Sequence, residues 1–178
     1  MSKKYKLNKN KGIVFWIEGF SGSGKTEIAK QSHKRISLLF GSTIVLSGDI
    51  LRNFLDKRGY SKSDRIKNSY KFSQFIKFLT DQKINVIYTV VGLNYMAKSI
   101  YKKSLINFVE IFVKTDIKKI IKMNKKKKVY KSNKNIVGLH IKAEFPKKPL
   151  VVIKNNFRKP IKQLSDELVE KLSECISK

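Results

Sequence analysis

The sequence predicts an α/β fold, a mostly parallel β-sheet with helices on both faces. Three observations carry this expectation. Short apolar runs rich in β-branched residues alternate with longer stretches of helical periodicity. The first run, Ile13-Val14-Phe15-Trp16-Ile17, is continuously apolar, as suits a strand buried on both faces. A length of 178 residues with 41% hydrophobic content is enough for the core of one domain spanning 1–178.

The elements follow in order. The first strand ends at Glu18-Gly19, and a Gly/Ser turn leads into a helix over 26–39. The second strand, 43–46, is stopped by Ser47-Gly48-Asp49, and a short helix covers 50–55. Ser61 can cap the next helix, which runs to Thr80 with Asp64 three residues beyond the cap. Phe72, Phe75, Ile76 and Leu79 fall on one of its faces at i, i+3, i+4 and i+7. Val86–Val91, Phe108–Val113 and Leu150–Ile153 read as three more strands, and Pro160 opens a final helix reaching about Ile176. The stretch 124–149 shows neither periodicity and is long for a passive loop, so it is predicted to be a lid over a site.

Composition excludes several classes. The lone cysteine, Cys175, cannot form an internal disulfide, which removes a stapled secreted scaffold. No apolar run reaches the roughly 18–20 residues that span a bilayer, and no signal-peptide pattern follows the basic N-terminus. A cytoplasmic protein with no membrane partner is the expectation. Lys+Arg number 40 against 13 Asp+Glu, a formal charge of +27. The lysines are spread through loops and helix faces alike, which reads as a solvated surface and not as a nucleic-acid face.

Gly19-Phe20-Ser21-Gly22-Ser23-Gly24-Lys25-Thr26 fits G-x-x-x-x-G-K-[ST] in full, between a predicted strand and a predicted helix. Glycines let backbone N–H groups converge on phosphate oxygens, and the helix N-terminus adds partial positive charge. Lys25 is placed to reach the β/γ-phosphates and Thr26 to ligate Mg²⁺. The expected fold is therefore a P-loop NTPase fold that binds a nucleoside triphosphate. Asn133-Lys134-Asn135-Ile136 lacks the aspartate of a GTPase base-recognition motif and follows no strand, so a GTPase is set aside. Ser47-Gly48-Asp49-Ile50-Leu51-Arg52 follows the second strand and should open at the same sheet edge. Alone, its Gly-Asp pair reads as a helix cap; beside a phosphate loop, Asp49 reads as an acid for Mg²⁺ or an acceptor hydroxyl, and Arg52 as a fork for an anion.

On these residues the sequence resembles the adenylylsulfate kinases, from about Gly12 to Ile153. The matching pieces are Trp16-Ile17-Glu18-Gly19-Phe20-Ser21-Gly22-Ser23-Gly24-Lys25, the loop Gly48-Asp49-Ile50-Leu51-Arg52, and Gly59-Tyr60-Ser61-Lys62-Ser63-Asp64-Arg65-Ile66-Lys67-Asn68. Lys127-Lys128-Val129-Tyr130, and Gly138 with Glu144-Phe145-Pro146, resemble the family's lid and the segment after it. The resemblance implies transfer of the γ-phosphate of ATP, with Mg²⁺, to the 3′-hydroxyl of adenosine 5′-phosphosulfate. It implies Lys25 and Asp49 as catalytic groups, Thr26 and Asp49 at the metal, and Arg52, Arg65 and Asn68 on the acceptor's anionic groups. Tyr60 stands where the family stacks a phenylalanine on the acceptor base, and Lys127 and Lys128 start a lid that closes over the polyphosphate. A small nucleotide is the implied partner, and a homodimer is compatible with it.

The departures fall on the acceptor side. Ser47 replaces the first acid of the family's Asp-Gly-Asp, Leu93 its phosphorylatable serine, and Ile136 the aromatic that precedes its Thr-Gly. Lys98 and Ser99 stand where the family has an acid and an arginine, so an anion contact is expected to be lost unless Lys98 compensates. Two alternatives stay open: a relative acting on another nucleotide, such as cytidine diphosphoramidate, and a nucleic-acid-associated protein that uses ATP as a ligand. The steep salt dependence of nucleic-acid binding separates the second from a kinase.

Overall fold

In the computed structural model, residues 5–56, 59–123, 127–132 and 134–177 are described. The elements are β1 (Tyr5–Lys6), β2 (Ile13–Glu18), α1 (Lys25–Phe40), β3 (Thr43–Ser47), α2 (Gly48–Phe54), α3 (Lys62–Asp81), β4 (Asn85–Val90), α4 (Tyr95–Ser104), β5 (Asn107–Lys114), α5 (Ile117–Lys122), α6 (Lys127–Ser132), β6 (Val151–Lys154), α7 (Ile161–Cys175) and β7 (Ile176–Ser177). Five strands form one parallel sheet in the order β3-β4-β2-β5-β6, and β1 pairs with β7 in a small parallel ladder. This is the P-loop NTPase fold.

The alternation of β2 builds two cores. Ile13, Phe15 and Ile17 face α1 and α7, packing on Ile28, Ala29, Ile36, Leu164, Leu168 and Leu172. Val14 and Trp16 face the other way, onto Leu51 of α2, Phe72 and Ile76 of α3, and Tyr101 of α4. The Trp16 ring lies 4.6–5.4 Å from the ring centroids of Tyr88, Tyr101 and Phe108. With helices on both faces, every residue of β2 is buried, which is why its sequence is continuously apolar up to Glu18. Of the four α3 residues expected on one face, Phe72 and Ile76 are buried, while Phe75 and Leu79 are half-buried against the same core.

Asparagines close the opposite rim. Asn85 accepts from the amide of Ile13 and donates to the carbonyls of Phe40 and Gly41. Asn107 holds the amide and carbonyl of Asn8 and the carbonyl of Lys11. Both satisfy backbone groups at element ends and in the adjoining loops that sheet hydrogen bonds do not reach.

The structure adds elements that the periodicity did not show. The turn after β4 becomes α4, capped by the Asn94 side chain on the amide of Ala97. Within the predicted lid, α6 and a bridge between Val137 and Ile141 are present. Lys125 and Lys126, together with the side chains of Lys127 and Lys128, lie outside the described residues.

Because the chain turns one way from β2 to β3 and β4 and the other way to β5 and β6, the order reverses at β2. A crevice at a topological switch point opens at the C-terminal ends of the strands. There the loops after β2, β3 and β4 meet.

Candidate active site

The loop between β2 and α1 contains the phosphate-loop pattern. Gly24, the residue before α1, has φ +90°, and a Cβ there would come within 2.9 Å of Nδ2 of Asn155. Only glycine meets both demands at this position. Asn155, buried just after β6, donates to the carbonyl of Ser23 at 2.9 Å and fixes the loop from outside. The motif gives no hint of it, because Asn155 is 132 residues away from Ser23. Lys25 is buried and folds over its own loop, its Nζ donating to the carbonyl of Phe20 at 2.6 Å. Tyr130 of α6 donates to the carbonyl of Ser21 at 2.7 Å, so α6 rests on the loop; burial pushes this phenol up to about 12.

The cavity beside this loop measures about 220 Å³. Lys25, Thr26, Asp49, Arg52, Tyr60 and Arg65 line it, together with Thr89 and Ile136. The sequence-predicted residues from three separate segments therefore open on one space. Asp49 is not the cap of α2. That position is Ser47, whose hydroxyl accepts from the amide of Ile50, so the residue replacing the family's first acid serves as the cap. The Asp49 side chain is 72% exposed, and its Oδ1 accepts from Nη2 of Arg52 at 2.6 Å and from the Tyr60 hydroxyl at 3.4 Å.

Tyr60 does not cap the core. It is exposed, with the Arg52 guanidinium 4.5 Å and that of Arg65 5.8 Å from its ring centroid, in cation–π contact. Arg65 also donates Nε–H to the carbonyl of Tyr60 at 3.0 Å and Nη2–H to the carbonyl of Asn135 at 3.4 Å. Behind the arginines a smaller cavity of about 30 Å³ is lined by Asn68, Ser69, Gly92 and Asn94 as well as Arg52 and Arg65. Asn68 is buried, so it does not belong to a solvated helix face. Its Nδ2 and the Nε of Arg52 are buried donors without a protein partner. Two unpaired donors lining one cavity are suited to an acceptor-rich group, because leaving them unpaired costs about 1–3 kcal/mol each.

The structure rules out compensation by Lys98. Its ammonium does not face the cavity; it is buried, 2.5 Å from Oε1 of Glu18 and 2.6 Å from Oε1 of Glu110. Lys98 therefore cannot stand in for the family's arginine. Ser99 turns its hydroxyl to the carbonyl of Met96.

The oxygen donors at the lip of the larger cavity, the Thr26 hydroxyl and the Asp49 carboxylate, are of the kind that suits Mg²⁺, an ion that keeps several of its waters. Among the described residues no group of three or more His, Cys, Asp or Glu could hold a metal by itself. No described helix is long and apolar enough to cross a membrane.

Comparison with known proteins matches residues 11–154 to the family described as adenylylsulphate kinase. A cytidine diphosphoramidate kinase of Campylobacter jejuni is 31% identical over 169 residues, covering 93% of this chain and 99% of its own. An adenylyl-sulfate kinase of Buchnera aphidicola is 30% identical over 179 residues, covering 93% of this chain and 84% of its own. In fold, the chain superposes on the Mycobacterium tuberculosis APS kinase CysC with a TM-score of 0.79 at 24% identity, covering 92% of this chain and 98% of the other. The motifs, the crevice at β2 and these matches agree, and the chain belongs to the adenylylsulphate kinase family of P-loop kinases, phosphotransferases that act on a hydroxyl acceptor.

Proposed function

We propose that this protein is an ATP- and Mg²⁺-dependent kinase that transfers the γ-phosphoryl group to a nucleotide hydroxyl. The 3′-hydroxyl of adenosine 5′-phosphosulfate is the acceptor its family implies. The observation that carries the reading is the shared cavity, where the phosphate loop and Asp49 meet an arginine pair set around Tyr60. Transfer needs little covalent chemistry from the protein beyond positioning and charge neutralisation. In this reading Gly19–Thr26 cradle the polyphosphate, with Lys25 on the transferring group. Mg²⁺, held by Thr26 and Asp49, would neutralise phosphate charge when bound. Asp49 orients the acceptor hydroxyl and takes its proton. Arg52, Arg65 and Asn68 hold the acceptor's anionic groups, and Tyr60 stacks on its base. The lid over 124–149, with Lys127 and Lys128, excludes water.

Cytidine diphosphoramidate is the alternative acceptor, supported by the 31% identical relative and by the loop after β4. In that loop Leu93 is buried in the core beside Phe20 and Phe112, the Asn94 side chain caps α4, and Lys98 is taken up by carboxylates. Loss of an arginine from an anion site costs roughly 2–4 kcal/mol, and loss of a stacking aromatic at Ile136 roughly 1–3 kcal/mol. Adenosine 5′-phosphosulfate is therefore expected to be a poor substrate. The deciding experiment is an ATP-consumption assay against adenosine 5′-phosphosulfate, cytidine diphosphoramidate, simple nucleoside mono- and diphosphates and a 5′-hydroxyl oligonucleotide. Turnover of one nucleotide is expected, with adenosine 5′-phosphosulfate below about 10⁵ M⁻¹s⁻¹ in kcat/KM. Efficient turnover of adenosine 5′-phosphosulfate would mean that the altered loop leaves the acceptor unchanged. No turnover of any nucleotide overturns the reading.

A further inference from the structure

Beneath the site lies a charge cluster that the transfer chemistry does not use. Glu18, fully buried, is the last residue of β2 and directly precedes the phosphate loop. Lys98, in the first turn of α4, bridges it to Glu110 of β5, and Lys102, one turn further on, donates to the other oxygen of Glu110 at 2.8 Å. Two carboxylates and two ammonium groups thus balance between three elements. Such a cluster adds little stability over an apolar replacement of the same volume; what it can supply is a single geometry.

That geometry concerns residues 91–94, of which Val91, Gly92 and Asn94 line the small cavity behind Arg52 and Arg65. A Cβ at Gly92 would lie 2.7 Å from Oε2 of Glu18 and 2.6 Å from Cζ2 of Trp16, so the backbone passes directly over the end of β2. Oε2 of Glu18 and the indole N–H of Trp16 are both buried there without a partner in full hydrogen-bond geometry, although the indole lies close enough to favour the Glu18 carboxylate. From the other side, the amide of Glu144 donates to the carbonyl of Leu93 at 3.1 Å. The amide of Tyr95 donates to Oε2 of Glu144 at 2.5 Å, and the Tyr95 hydroxyl to the carbonyl of Phe145 at 2.6 Å. The start of α4 is pinned to the phosphate-loop strand by Lys98 and to the post-lid segment by Glu144.

We propose that Lys98, held between Glu18 and Glu110, is a positioning residue that keeps the 91–94 loop in register with the phosphate loop, and so sets acceptor binding without touching the acceptor. The catalytic part of this inference rests on the acceptor reading above; the structural part does not. The charged and polar groups facing Glu18 are Lys98 of α4, Glu110 of β5 and the Trp16 indole of β2. Lys102 reaches it through Glu110, and Lys147 approaches the neighbouring Tyr95 ring. Burial raises the Glu18 carboxyl to about 7 despite the pull of Lys98. Burial acts against Glu110 as well, but hydrogen bonds from Lys102 and Lys98 hold it below its ordinary value. The strut is therefore fully charged above neutrality and loses one charge below it.

The test compares Glu18→Gln, Lys98→Met and the double variant with the wild type by hydrogen exchange, which needs no acceptor. At about pH 8, where wild-type Glu18 is ionised, the amides of 92–98 are expected to exchange about tenfold faster in Glu18→Gln, and at about pH 6 the difference should vanish. Amides of α1 should be unaffected at both pH values. With any acceptor the panel identifies, Lys98→Met should raise acceptor KM about tenfold while affinity for an ATP analogue stays within about twofold. The wild-type inflection near 7 in acceptor kcat/KM should be absent from Glu18→Gln. If Lys98→Met does not fold, Glu18→Gln carries the decision alone. Unchanged exchange at 92–98 at the higher pH, or equal losses of ATP and acceptor affinity, overturns the strut. A panel without turnover overturns the acceptor reading and leaves the exchange result standing.

Discussion

Replacing Lys25 by alanine is expected to lower kcat by about 10³-fold or more while the protein stays folded. The transferring phosphoryl group carries its charge on oxygens that need a fixed cation nearby, and a preorganised charge in a site shielded from water is worth several kcal/mol. In the proposed reading Lys25 is that cation: it is the first residue of α1, lines the cavity, and has its Nζ within 2.6 Å of the loop carbonyl of Phe20. The residue contributes no side chain to the two apolar cores on either side of β2, so the melting temperature should move by no more than about 3 °C. Single-turnover kinetics with calorimetry on the same sample checks both statements. Turnover within about tenfold of wild type would sink the assignment of Lys25 to the transferring group.

A second large effect is expected from Asp49→Asn, which keeps the shape of the side chain and removes its charge. Turnover should fall at least about 10²-fold, with nucleotide affinity little changed, because in the proposed reading the carboxylate acts on the metal and the acceptor hydroxyl. The structure makes this a cleaner experiment than the motif alone allows. Since the cap of α2 belongs to Ser47, loss of capping cannot account for a lost activity. The ion pair with Arg52 has a side chain 72% exposed on the aspartate side, so its contribution to stability is about 0–1 kcal/mol. A Mg²⁺ titration of both forms separates the roles: a metal-binding Asp49 shifts the midpoint upward in Asp49→Asn, whereas an Asp49 that serves only the hydroxyl leaves it in place. Normal turnover in the variant means that Asp49 has no part in the transfer.

What could be read from the sequence follows from how local each signal is. The phosphate loop must be contiguous, because neighbouring N–H groups converge on one anion, and so it can be recognised at sight. Arg65 and Asn68 are legible for a similar reason, since three residues along a helix return to the same side. Ser61 and Asp64 form the expected capping box, with both reciprocal hydrogen bonds present. The role of Lys98 is not legible because its meaning lies in partners 80 and 12 residues away, and a lysine bonded to two buried carboxylates looks the same in sequence as one facing a sulfate. Asn155 was silent for the same reason. α4 escaped notice because lysines interrupt its apolar positions, and α5 because six residues hold too few turns to display a period.

The packing of Trp16 supplies the protein with an optical reporter of its own. It is the single tryptophan of the chain, 1% exposed, with two tyrosines and a phenylalanine around it. Excited in this dry surrounding, the indole should emit well to the blue of tryptophan in water, fed by energy passed from Tyr88 and Tyr101. Its edge lies where Gly92 crosses the end of β2, so a ligand that displaces the 91–94 loop should alter the emission, and one confined to the phosphate loop should alter it far less. Unlabelled protein in a fluorimeter can therefore distinguish occupation of the two halves of the site, and the same signal, moving to the red, follows unfolding.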